Sequence, residues 1–128
     1  MINIILVDDN KQITEILTEH FATLKDLNLI ATANDGEEAL EIIKRNEFDV
    51  LVLDALMPKL DGLELLKQIN TKETYIIMST IVTNENMVKQ YLKYDINHYM
   101  CKPYSNSALI ERIRDCKKEE KLEYKIEL

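Results

Sequence analysis

The sequence predicts a doubly wound α/β sandwich, a parallel sheet of five strands covered by helices on both faces. Three observations predict it. Short apolar runs alternate with helix-period patterns from one end of the chain to the other. The runs lack clear polar alternation, which marks strands buried on both faces. The segments between them have room for crossover helices and do not read as tight hairpins.

Ile4 to Val7 is a continuous apolar run that ends in Asp8-Asp9. Ile13, Ile16, Leu17, Phe21 and Leu24 then recur at helical spacing. Leu29 to Ala33 reads as the second strand, and Gly36 punctuates before a second helix marked by Ala39, Leu40 and Ile43. Asp49 to Asp54 is the third strand, apolar on both faces between its two aspartates. Leu63, Leu66 and Ile69 mark the third helix, and Tyr75 to Met78 the fourth strand. Met87, Val88, Tyr91 and Leu92 line the fourth helix. His98 to Cys101 forms a short fifth strand. Leu109, Ile110, Ile113 and Cys116 line the last helix, with Ser105 or Ser107 as its cap.

At 128 residues the chain suits one domain with a core of its own. Apolar residues at 46% and charged residues at 30% exclude a disordered chain. The net charge of -7 disfavours direct nucleic-acid binding, which needs a Lys/Arg surface, and suits a basic partner or a divalent cation. Cys101 and Cys116 have no metal-ligand spacing and are expected to be reduced packing residues. MINIILVDDN lacks the basic and long apolar regions of a signal peptide and is too short to span a membrane, so a cytoplasmic protein is expected.

The chemistry gathers at the strand ends, because an open α/β sheet binds ligands beyond the carboxyl ends of its strands. The first strand ends in Asp8-Asp9, the third in Asp54, the fourth in Ser79-Thr80 and the fifth in Lys102-Pro103. Singly, each has a plainer reading: Asp favours turns, Asp9 suits a helix cap, Lys102 a solvated surface and Thr80 a strand that runs on. Together they require a coincidence at four of five strand ends. Crowded carboxylates repel one another, and a hard divalent cation such as magnesium removes the conflict. An aspartate is also a nucleophile toward phosphorus. The roles that follow are Asp54 as nucleophile, Asp8 and Asp9 as metal site, and Thr80 and Lys102 on the phosphoryl oxygens.

IILVDDN, DVLVLDALMPKLDGLELL, IIMST and HYMCKPY resemble, in order, four motifs of the response-regulator receiver family, and the resemblance covers residues 1 to about 118. It implies the flavodoxin- and CheY-like strand order 2-1-3-4-5. It also implies that Asp54 receives phosphate from a histidine kinase or phosphotransfer protein. Magnesium would be bound by Asp8, Asp9, Asp54 and the backbone carbonyl of Leu56. Thr80 and Tyr99 would form the switch, and the Lys102–Pro103 bond would be cis. The conformational change would control an effector domain or downstream protein, with a phosphorylation-linked dimer as one outcome. Within the family, the Asp54 segment is similar to the receivers of sporulation regulators.

Three departures stand out. Ser79 competes with Thr80 for the switch role, since a one-residue slip turns every side chain of a strand over. Ile81 occupies a position where the family usually has a small residue, which predicts slow dephosphorylation. Asp95 stands where glycine is common, and aspartate tolerates the left-handed conformation better than most residues. Residues 119–128 read as a charged tail, and 122–128 alternate at the strand period, as a linker stub or an extra edge strand would. Two rival functions fit less well. An aspartyl phosphatase wants a second Asp two residues after the first, and position 56 is Leu. A flavin module wants a phosphate-binding loop where Asp8-Asp9-Asn10 would repel the phosphate.

Overall fold

The computed structural model describes residues 1–81 and 84–117. Five strands, β1 (Ile2–Val7), β2 (Leu27–Ala33), β3 (Val50–Leu53), β4 (Tyr75–Thr80) and β5 (His98–Cys101), alternate with five helices. These are α1 (Lys11–Ala22), α2 (Gly36–Arg45), α3 (Gly62–Gln68), α4 (Glu85–Leu92) and α5 (Asn106–Arg114). The strands form one parallel sheet in the order β2-β1-β3-β4-β5. The expectations for residues 119–128 lie outside the described residues.

The pleat divides the apolar residues between two layers. Ile4, Leu6, Val50, Val52 and Ile77 face one side, where Leu17 and Phe21 of α1 and Leu109, Ile110 and Ile113 of α5 cover them. Ile5, Val7, Leu51, Leu53, Ile76 and Met78 face the other, beneath Ala39 of α2, Leu65 and Leu66 of α3 and Tyr91 of α4. Alternating residues of β1 and β3 therefore serve opposite cores, which is why these strands read as unbroken apolar runs.

Helix geometry corrects two side chains. Ile13, Leu17 and Phe21 form the inward stripe of α1, which Leu24 extends just past its end, and Met87 and Tyr91 form that of α4, which Tyr94 extends likewise. Ile16 and Leu92 fall off those stripes and are each 57% exposed. The caps are also settled. Asn10, not Asp9, accepts the Gln12 N–H at the start of α1, and Ser105 rather than Ser107 caps α5. Cys116 is buried in the core, whereas Cys101 is exposed, so only the first is a packing cysteine. Among the described residues, Lys59 is the one non-glycine with positive φ, at 68°. Asp95 therefore has no need of the left-handed region.

Candidate functional site

Strand order reverses at β1, whose neighbours are β2 and β3. Val7 pairs with Leu53, so the next residues, Asp8 and Asp54, leave adjacent strands side by side. The Asp54 N–H donates to the Val7 carbonyl at 3.0 Å and holds that register one residue past the ladder. Both carboxylates are buried, with Asp8 3% and Asp54 5% exposed, while Asp9 is exposed. One carboxylate oxygen from each of Asp8, Asp9 and Asp54 lies within 4.8 Å of the others.

Lys102 enters this cluster from the end of β5. Its Nζ donates to Asp8 Oδ2 at 2.6 Å and to Asp54 Oδ2 at 3.4 Å. The Lys102 N–H also donates to the Thr80 carbonyl at 2.9 Å, so β4 fixes the root of the lysine. The Lys102–Pro103 bond is cis. Asp54 Oδ1 accepts the Leu56 N–H at 3.1 Å, which orients the carboxylate. Burial raises the Asp54 carboxyl above its ordinary range. The Lys102 charge and the Leu56 N–H oppose this, and the charges of Asp8 and Asp9 add to it. For Lys102, burial disfavours the ammonium, but the Asp8 hydrogen bond and the charges of Asp54 and Asp8 outweigh it and raise its pKa.

Two adjacent residues at the end of β4 face opposite layers. Ile76 and Met78 belong to the α2–α3–α4 side, and the two-residue period places fully buried Thr80 with them. Tyr99, opposite Met78 in β5, packs on the same side, with its ring centroid 6.4 Å from that of Tyr91. Burial, followed by the charges of Asp61, Tyr99 and Asp54, pushes the Tyr91 hydroxyl up to about 12. Ser79 faces the α1–α5 side with Ile77, and its hydroxyl bonds the Tyr104 hydroxyl. Ser79 is thus engaged away from the Thr80–Tyr99 side. Ile81 is 66% exposed.

The sequence reading missed several participants. Asn34, just past β2, donates its Nδ2 to the Asp8 carbonyl at 2.7 Å. Tyr104 lay within a quoted motif but had no assigned role. Gly36 and Gly62 lie against the loop that leaves Asp54. A Cβ on Gly36 would stand 1.8 Å from the Leu60 carbonyl oxygen, and one on Gly62 would stand 2.8 Å from Ala55 Cα. The Lys59–Asp35 ion pair at 3.4 Å bridges the same junction.

The donor set suits a hard cation, because three carboxylate oxygens converge. A family model for the response regulator receiver domain matches residues 4–114. Among solved structures, a chain of the CheX–CheY–BeF3–Mg2+ complex from Borrelia burgdorferi is 32% identical. The match covers 88% of this chain and 86% of that one, with a TM-score of 0.78. The receiver domain of Francisella response regulator 1452 is 31% identical, with coverage of 94% and 99% and a TM-score of 0.80. The response regulator domain of Thermotoga maritima CheB is 29% identical, with coverage of 91% and 96% and a TM-score of 0.79.

Proposed function

The chain belongs to the response regulator receiver domain family, and on that premise we propose that Asp54 is its phosphoacceptor in a two-component signalling switch. One observation carries the reading. Asp54 is a buried carboxylate at the reversal point of the sheet, flanked by two more carboxylates and reached by an ammonium. Asp8, Asp9, Asp54 and the Leu56 carbonyl would hold magnesium. When bound, magnesium supplies positive charge to the phosphoryl oxygens.

The chain's own residues do the rest. An Asp54 oxygen attacks phosphorus, an acyl phosphate bond forms, and the donor's bond to phosphorus breaks. The Leu56 N–H orients the nucleophile, and Lys102 meets the new negative charge. Thr80 turns toward the phosphoryl group, and Tyr99 moves into the space behind it. The surface of α4, β5 and α5 is thereby remodelled. The donor is a histidine kinase or phosphotransfer protein. The recipient of the signal is an effector domain or downstream protein, and phosphorylation promotes a dimer. Residues 1–118 form the receiver and 119–128 a tail. Apart from its own phosphoryl transfer and slow autodephosphorylation, the domain has no catalytic task. The proposed location is the cytoplasm; among the described residues no helix is long and apolar enough to cross a membrane.

Incubation with acetyl phosphate and magnesium, followed by intact-mass measurement, tests this. The expected result is one added phosphoryl group that is absent in Asp54→Asn. Retained labelling in that variant would overturn the assignment.

A further inference from the structure

Asp8 and Asp9 sit in a short loop whose shape decides where two of the three clustered carboxylates point. Most of its hydrogen bonds are local. Asp8 Oδ1 accepts the Asn10 N–H at 2.9 Å, and Asn10 Oδ1 accepts the Gln12 N–H at 3.0 Å. Asp9 is exposed, and its carboxylate makes no hydrogen bond or ion pair with a described residue, so it is the backbone that places its Cβ.

That backbone is held from outside by Asn34. Its Nδ2 donates to the Asp8 carbonyl at 2.7 Å and to Thr14 Oγ1 at 3.3 Å. Thr14, buried in the second turn of α1, in turn donates its hydroxyl to the Lys11 carbonyl at 3.0 Å. One amide therefore bonds the end of β1 and the first turns of α1, which are the two sides of the acidic loop. A peptide unit is planar, so fixing the Asp8 carbonyl also fixes the plane of the Asp8–Asp9 bond. The Asp9 N–Cα bond, from which its side chain departs, lies in that plane.

We propose that Asn34 is a positioning residue for the cation site: through the Asp8 carbonyl it holds Asp8 and Asp9 in the separation a divalent cation requires. The proposal rests on the magnesium reading given above. Groups of this kind, which touch a ligand's support and not the metal, typically change metal affinity by about 10- to 100-fold.

Calorimetric titration of the metal-free chain with magnesium chloride, alongside urea unfolding without metal, provides the test. Asn34→Ala is expected to bind magnesium about tenfold more weakly than the parent. A variant that remains essentially all folded owes no affinity change to lost global stability, so the dissociation constant reports on site geometry. Thr14→Val removes the second anchor of the amide without touching the acidic loop. It is expected to show a smaller loss in the same direction, and it carries the test should Asn34→Ala not fold. Affinity equal to the parent's in folded Asn34→Ala, or in Thr14→Val if only that variant folds, would overturn the role of Asn34. A parent that binds no magnesium would overturn the metal reading itself.

Discussion

Gly62→Ala is a contest between two effects whose sizes can be compared. Gly62 opens α3 with a negative φ that alanine tolerates, and alanine gives up less chain entropy on folding. That alone would stabilise the fold by about 0.4–1 kcal/mol. Against it, the new Cβ would lie 2.8 Å from Ala55 Cα and 2.9 Å from the Asp54 carbonyl oxygen, where ordinary contact begins near 3.4 Å. Both obstacles are backbone, so no side chain can swing aside. Overpacking of this kind costs roughly 1–3 kcal/mol, and the clash should win by about 1–2 kcal/mol. Urea unfolding should show a lower midpoint at an unchanged slope. Since the atoms that must yield belong to Asp54 and Ala55, acetyl phosphate labelling should slow as well. Gly36→Ala, with its Cβ 1.8 Å from the Leu60 oxygen, should lose more stability. A Gly62→Ala protein as stable as the parent would refute the argument.

Four further outcomes are expected. Magnesium at a hundredfold excess over its dissociation constant should stabilise the parent by about 2.7 kcal/mol, read as a shift in the thermal midpoint that Asp8→Asn diminishes. The raised Asp54 pKa means that its charged form opposes folding at neutral pH and that this opposition fades as pH falls through the raised value. Metal-free Asp54→Asn should therefore unfold at a higher urea concentration than the parent at pH 7, and a lower midpoint would count against burial as the cause. Ile81→Ala removes an exposed side chain and should change stability by no more than about 0.5 kcal/mol. Its aspartyl phosphate should decay faster once acetyl phosphate is withdrawn, and an unchanged decay would discard Ile81 as a barrier to water. Finally, the Arg114 guanidinium, bidentate on Asp26 at 2.8 and 3.0 Å, holds that carboxyl below its ordinary 3.8. The contribution of the pair is present above that value and lost as pH falls through the lower folded one. The stability gap to Asp26→Asn should close in acid, and a gap that persists there would remove the ion pair as its source.

The layers and strand order were legible because period and burial leave a direct trace: β3 is apolar at every position and β1 at every position but Asn3, as two-sided burial demands. The strand-end residues were legible because a parallel sheet delivers its last residues to one edge. What escaped depends on contacts between distant segments. Nothing near Asn34 in sequence indicates that its amide reaches the Asp8 carbonyl, and nothing near Gly36 reveals Leu60 against it. Which of Ser79 and Thr80 lies on the Tyr99 side depends on the face each occupies, and the layer of Met78 supplies that face.

The seating of Lys102 between Asp8 and Asp54 also bears on how a message leaves the molecule. Three clustered carboxylates against one ammonium leave two negative charges, which one divalent cation cancels. Converting the Asp54 carboxylate to an acyl phosphate then replaces about one negative charge by roughly 1.5 to 2. Against a total of -7 that is a small increment, and ionic screening over about 8 Å confines it to the neighbourhood of the crevice. A partner a helix away feels almost no change in potential. The domain must therefore announce its state by altered shape, and readers of that state should discriminate nearly as well in high salt as in low.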